Sequence, residues 1–199
     1  MTKLQFISPL SPELEKRLRR IIRRIDFKKG DEILKPGEVC TRIFFIKTGL
    51  IRIYHELGEK EITDWFLKEG DFCISVGSFF RQVESREYHV ALEDCECWGI
   101  SFEELENTYA LYPKFNVHGR ILSNTYYMEL DYRTSRSKGK GAGEKYEDLI
   151  SKNEDFIDRI SISDMASYLG IGDSTFKAMR AQYIKKKALD ARWKKRITG

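Results

Sequence analysis

The chain has 199 residues, 41% of them hydrophobic and 13% aromatic, with 33% charged and a net charge of +4. That is enough apolar material for one large or two small packed cores, which excludes a predominantly disordered chain. No run approaches the roughly 18 uncharged apolar residues of a membrane span, and residues 1–10 lack the basic flank and apolar centre of a secretion signal, so the expected location is the cytoplasm, with reduced thiols.

Pro12 opens a helical pattern in which Leu14, Leu18, Ile21, Ile22 and Ile25 share one face and basic residues fill the other. From residue 31 to 101 the pattern changes to short apolar or alternating runs at 43–46, 50–54, 62–67, 88–92 and 97–100. Turn residues separate them, as in Lys35-Pro36-Gly37, Thr48-Gly49, Leu57-Gly58 and Glu69-Gly70-Asp71. Short strands at this spacing indicate an antiparallel barrel or sandwich. Leu105, Tyr109 and Tyr112 then form one apolar stripe, Pro113 breaks it, and Val117, Ile121, Leu122, Thr125, Met128 and Tyr132 form a second. This predicts a short helix followed by a long one, and a single stripe on a long helix requires a partner, so a homodimer is expected through Val117, Ile121, Leu122, Thr125 and Met128. Residues 134–143, rich in Ser, Lys and Gly, read as a linker. The resulting division is a β-rich sensor domain at 1–112, a dimerisation helix at 113–136, a linker at 137–145 and a helical domain at 146–199.

The strongest local signal lies at residues 162–180. Ser163 is positioned to cap a first helix, with Asp164 in its first turn. Ala166 is small enough to let two helices cross closely, and Gly170, four residues on, permits the left-handed backbone of a tight turn. Asp173 is positioned to cap a second helix, and Met165, Leu169, Ile171, Phe176 and Met179 have the spacing to pack the pair. This is helix-turn-helix spacing. The second helix presents Ser174, Thr175, Lys177, Ala178 and Arg180, followed by Lys185, Lys186 and Lys187. Residues 177–199 hold nine Lys or Arg against Asp190 alone, a local charge of +8 that leaves −4 on the rest of the chain. Early polar side chains suit base edges and later cations suit phosphates, so double-stranded DNA is the expected partner.

At these residues the chain resembles the Crp/Fnr superfamily over roughly residues 10–187. The carrying stretches are Phe27-Lys28-Lys29-Gly30-Asp31-Glu32-Ile33-Leu34-Lys35-Pro36-Gly37-Glu38 with residues 43–52, then Lys68-Glu69-Gly70-Asp71-Phe72, and Ala91-Leu92-Glu93-Asp94-Cys95 through Ile100-Ser101. The resemblance implies an α+β chain: an N-terminal antiparallel β jelly-roll of the cyclic-nucleotide-binding type, a long dimerisation helix and a C-terminal helix-turn-helix. It also implies an effector pocket around Gly70, Phe72, Ser75, Gly77, Ser85 and Arg86. Relatives that bind cyclic nucleotides carry a Gly-Glu pair where this chain has Ile74 and Ser75, and an Arg-Ser pair where it has Ser85 and Arg86. The order of the second pair is reversed, and since successive strand residues face opposite sides, Arg86 is expected to point away from the pocket. The effector therefore remains open, and cyclic AMP is not expected to bind. In the recognition helix, Ser174 and Ala178 stand where relatives often carry Glu and Arg, so no operator sequence transfers.

Other chemistries find little support. Cys40, Cys73, Cys95 and Cys97 form no CxxC and are expected to be buried thiols, and the three histidines His55, His89 and His118 are isolated in sequence, so no metal or cofactor is expected. No GxSxG, P-loop or GxGxxG occurs, so the chain is not expected to be an enzyme. The reading is a dimeric, sequence-specific transcriptional regulator, with RNA polymerase and a small-molecule effector as further partners. The alternatives are a sensing or scaffold protein without DNA binding, or a jelly-roll enzyme.

Overall fold

In the computed structural model, which describes residues 7–137 and 139–197, with side chains over 7–135 and 139–189, the chain divides into two units. One comprises Met1–His55 and Asp64–Ser135, the other Glu56–Thr63 and Arg136–Gly199. The first six residues of the stretch weighed as a leader, and the side chains of the terminal cations Arg192, Lys194, Lys195 and Arg196, lie outside the described residues.

The first unit opens with helix α1 (Pro12–Ile21). Ser11 caps it by accepting from the Leu14 N–H at 3.3 Å, Pro12 fills a position that needs no donor, and acidic residues start it while Arg19 and Arg20 end it. Leu14, Leu18 and Ile21 are buried on one face. Ile25, which continues that spacing in the sequence, belongs instead to strand β1 (Arg23–Phe27), because the chain turns extended at Ile22. Eight strands follow the jelly-roll pattern: β1, β2 (Glu32–Leu34), β3 (Arg42–Thr48), β4 (Ile51–Leu57), β5 (Lys60–Leu67), β6 (Phe72–Cys73), β7 (Tyr88–Ala91) and β8 (Cys95–Ser101). They form two four-stranded sheets, ordered β1-β8-β3-β6 and β2-β7-β4-β5. The pairs β1/β8, β3/β8, β3/β6, β2/β7 and β4/β7 are antiparallel.

Ile46, Ile51, Ile53, Cys73, Cys95 and Cys97 form the heart of one core. A second core joins α1 to the roll through Leu34, Cys40 and Phe79, with Leu105 and Phe115 contributed from beyond β8. All four cysteines are buried and free, and burial pushes their thiols up, Cys97 to about 12. The β3–β4 turn depends on Gly49, whose φ is +103° and whose missing Cβ would sit 2.5 Å from Cys95 Sγ and 2.7 Å from the Asp94 carbonyl. Only glycine fits that approach.

Ser101 and Glu104 close a capping box at the start of helix α3 (Phe102–Leu111), which follows α2 (Val76–Arg81) in the chain. A 3₁₀ turn at Pro113–Phe115 breaks the helical run, and α4 (Asn116–Ser137) continues for 22 residues. His118 anchors α4 with its Nε2 at 3.1 Å from the Ser8 carbonyl, and a Cβ on Gly119 would clash with the Tyr109 hydroxyl.

The second unit is helical: α5 (Ala142–Lys152), the short α6 (Phe156–Arg159), α7 (Ile162–Leu169) and α8 (Asp173–Ile197). Tyr146, Ile150, Phe156, Met165, Ala166 and Phe176 are among its buried residues. No helix among the described residues is long and apolar enough to cross a membrane.

Candidate effector pocket and nucleic-acid interface

Ser75 precedes α2 and Ser85 precedes β7, and each is only 4% exposed. Their hydroxyl oxygens lie 3.4 Å apart, and Ser85 Oγ also accepts from the Glu87 N–H at 3.0 Å. Arg86, between Ser85 and Glu87 in the segment leading into β7, is exposed. The remaining expected pocket residues serve the frame. Gly70 makes the turn before β6 with φ +91° and donates to the Ile46 carbonyl at 2.9 Å. Phe72 packs 5.3 Å from Phe45, on the face of β6 opposite the fully buried Cys73, and Gly77 is exposed on α2.

The sequence reading missed Glu87 and His89. His89 is 2% exposed, with Nδ1 3.2 Å from Cys73 Sγ and Nε2 3.4 Å from Glu87 Oε2. A carboxylate only accepts, so Nε2 carries the ring proton and Nδ1 accepts from the Cys73 thiol, which burial keeps protonated. Burial alone would push the Glu87 carboxyl up, yet hydrogen bonds from His89 and Ser75 outweigh it and hold the group below its ordinary value. The positions that would grip a ribose and a cyclic phosphate are thus two mutually bonded hydroxyls, with a carboxylate beside them. A phosphodiester placed there would meet a like charge in place of a guanidinium. Alternation within β7 was the available signal for His89, whereas Glu87 lies just before that strand and had none.

Helix α4 has two distinct sides. Tyr126 lies 5.4 Å from the Trp65 ring, and Arg133 stacks 3.8 Å above Trp65 while donating to the Asp64 carbonyl at 2.6 Å. Leu122 is one turn before Tyr126 and so belongs to this side, not to the stripe in which the sequence reading placed it. Val117, Ile121 and Met128 share the other side, with Thr125 at its edge and Met128 62% exposed. The exposed Tyr127 enlarges the apolar surface.

In the second unit Ser161, not Ser163, caps α7: its hydroxyl accepts from the Asp164 N–H at 3.0 Å, and Ser163 is an exposed helical residue. Gly170 ends the helix in the left-handed region at φ +66°, and the Ile171 N–H returns to the Ala166 carbonyl at 3.0 Å. Met165, Leu169 and Phe176 are buried, Ile171 and Met179 half-buried. Asp173, expected as the cap before the second helix, is instead the first residue of α8. Ser174, Thr175, Lys177, Ala178 and Lys185 are exposed, and helical periodicity puts Ser174, Ala178 and Lys185 opposite the buried Phe176. Arg180 is half-buried, and its charge acts on the Tyr146 hydroxyl against the effect of burial. Lys186 and Lys187 lie nearer the core side, where Lys186 Nζ meets Glu147 at 2.9 Å and Lys187 pairs with Glu154. Their ammonium groups are therefore shared with carboxylates of the same unit.

Among the described residues no group of three or more His, Cys, Asp or Glu is placed to hold a metal. Residues 24–112 match the family model of the cyclic nucleotide-binding domain. No curated protein sequence matches the chain. Among solved structures it is similar to FixK2 from Bradyrhizobium japonicum, at 18% identity over 84% of this chain and 86% of that one, with a TM-score of 0.69. A protein of Eubacterium rectale described as a transcriptional regulator of the Crp/Fnr family gives 19% identity over 89% and 85%, with a TM-score of 0.69. The c-di-GMP-responsive global regulator CLP of Xanthomonas campestris gives 16% identity over 91% and 93%, with a TM-score of 0.66. Residues 24–112 thus match the cyclic nucleotide-binding domain, and the chain is similar in fold to FixK2, to CLP and to the Eubacterium rectale protein described as a Crp/Fnr regulator.

Proposed function

We propose that the chain is a dimeric, sequence-specific DNA-binding transcriptional regulator acting in the cytoplasm, without catalytic activity, and that its β-roll does not respond to cyclic AMP. The observation that carries DNA binding is the α7–Gly170–α8 turn, which buries Met165, Leu169 and Phe176 and leaves Ser174, Thr175 and Lys177 exposed on the first turns of α8. The fold it shares with FixK2 and CLP supports the same reading. CLP is named as responsive to a cyclic dinucleotide, but the Ser75–Ser85 pair and Glu87 argue against a phosphodiester ligand in this chain. RNA polymerase and an effector that is not a phosphodiester are the remaining proposed partners.

A genome-wide map of bound DNA tests the central claim and returns the operator. A shared palindromic motif supports the reading, and binding without sequence preference sinks it. Calorimetric titration with cyclic AMP tests the second claim; the expected result is no heat of binding at micromolar concentrations, and saturable micromolar binding refutes it.

A further inference from the structure

The hydrogen bonds around Glu87 all run toward it. The Cys73 thiol donates to His89 Nδ1 at 3.2 Å, and His89 Nε2 donates to Glu87 Oε2 at 3.4 Å. The Ser75 hydroxyl donates to the same carboxylate. Ser85 Oγ accepts from the Glu87 N–H at 3.0 Å and donates to the Glu87 carbonyl at 3.3 Å. Each of these protons is committed within the cluster, so what the cluster still offers is lone pairs. A carboxylate has about four acceptor sites, and only His89 and Ser75 draw on this one. No Lys or Arg among the described residues pairs with Glu87, so no fixed cation balances it. Nor is it sealed in. The Glu87 side chain is 37% exposed, and so is Tyr126, whose hydroxyl feels the Glu87 charge.

We infer that Glu87 anchors a binding site for a small organic cation that carries N–H donors, an ammonium or a guanidinium. A ligand that only accepts finds no free proton in the cluster, and an anion meets a like charge. An uncharged donor gains a hydrogen bond without the attraction, and charge-assisted bonds are roughly twice as strong as neutral ones. A metal ion is the poorer fit, since among the described residues no group of three or more His, Cys, Asp or Glu is placed to hold one. Tyr126 adds aromatic surface within reach of the carboxylate, and rings of this kind attract organic cations. Arg133, stacked 3.8 Å above the Trp65 ring that Tyr126 packs against, shows the same preference on the same helix. Such a cation would be the effector of the β-roll, so its regulatory role rests on the function proposed for the whole chain, whereas its binding does not.

The probe is n-butylammonium, titrated at neutral pH and low ionic strength into the full chain without DNA, with ¹³C-labelled histidine rings as the readout. His89 donates to the anchoring carboxylate, so its resonance should move saturably, with a dissociation constant on the order of 10 mM. His118, whose ring is held by the Ser8 carbonyl, should stay in place. At equal concentration n-butanol, a donor without charge, and tetramethylammonium, a charge without a donor, should each give less than about a fifth of the shift. Butyrate should give none. The amide of Glu87→Gln still accepts from His89 and Ser75, so the fold should persist, with His118 unchanged, while butylammonium binds at least about ten-fold more weakly. A His89 ring that ignores butylammonium, moves only in step with His55 beside Asp64, does not distinguish the probes in the wild type, or keeps its response in Glu87→Gln overturns the assignment and leaves the operator map standing. A response to butyrate overturns it as well, and with it the argument against cyclic AMP.

Discussion

Glu87 brings a titratable charge beside two buried groups, Ser75 and His89, that hydrogen-bond to it. Its carboxyl is held below the ordinary value of 4.5, so the folded state binds a proton less readily than the unfolded one. The stability this confers is present above the unfolded value and is lost as pH falls through the lower folded value. Glu87→Gln should therefore flatten the loss of stability on acidification below about pH 4.5, and urea unfolding at a series of pH values measures it; an unchanged slope would show that the carboxylate is not held by its neighbours. Gly49 makes a different single-residue demand, steric instead of electrostatic. Gly49→Ala adds a Cβ against the Asp94 carbonyl at a positive φ and should cost about 2–4 kcal/mol in urea unfolding. Gly58, with φ +63° and nothing within 4 Å of a Cβ, should lose only about 1 kcal/mol on the same change. Equal losses at the two positions would remove the steric account. Thr48-Gly49 could be read as a turn from the sequence, but the reason it must be glycine could not, because Cys95 lies 46 positions away.

Elements with strong periodicity were legible in advance. β3, β4, β5 and β8, the break at Pro113 and the α7–α8 turn all fall where alternation, proline and Gly170 place them. β6 was not, since two residues cannot show alternation, and β1 was hidden because Ile25 extends the spacing of α1. The cap of α7 lay two residues early, since Ser161 and Ser163 are equivalent on propensity and only the bond to the Asp164 N–H separates them. Within α8 the structure divides cations that composition had grouped. Lys177 lies in the first turns, so Lys177→Ala should cost about 1–3 kcal/mol on the preferred site and less elsewhere; equal losses on matched and scrambled duplexes would end its role in base readout. Lys186 and Lys187 are partnered by Glu147 and Glu154, carboxylates that compete with phosphates for them. Glu147→Gln with Glu154→Gln should tighten binding to every duplex and raise the magnitude of the salt slope, by at most about two. An unchanged slope in fluorescence anisotropy would mean that these lysines never meet the DNA backbone.

At the scale of the whole molecule, the proposed dimer rests on the exposed side of α4. Ile121→Glu with Met128→Glu would place four carboxylates in the proposed interface, and sedimentation should then give monomers. A double variant that sediments as a dimer would move the interface elsewhere, whereas Leu122→Ala, on the Trp65 side, should leave the dimer intact. The division of the chain carries a further consequence. The segment Glu56–Thr63 belongs to the second unit although its flanking residues belong to the first, and there the Ser167 hydroxyl donates to the Glu61 carbonyl at 2.7 Å and accepts from the Thr63 N–H at 2.9 Å. The helical unit is therefore discontinuous in sequence, and a gene fragment starting at residue 136 encodes it without one of its pieces. The bonds that Ser167 makes span more than 100 positions, so they close only after the intervening chain has been synthesised. During translation the last part of this unit to emerge waits for nothing, whereas its first part, the hairpin tip, must wait for almost everything else.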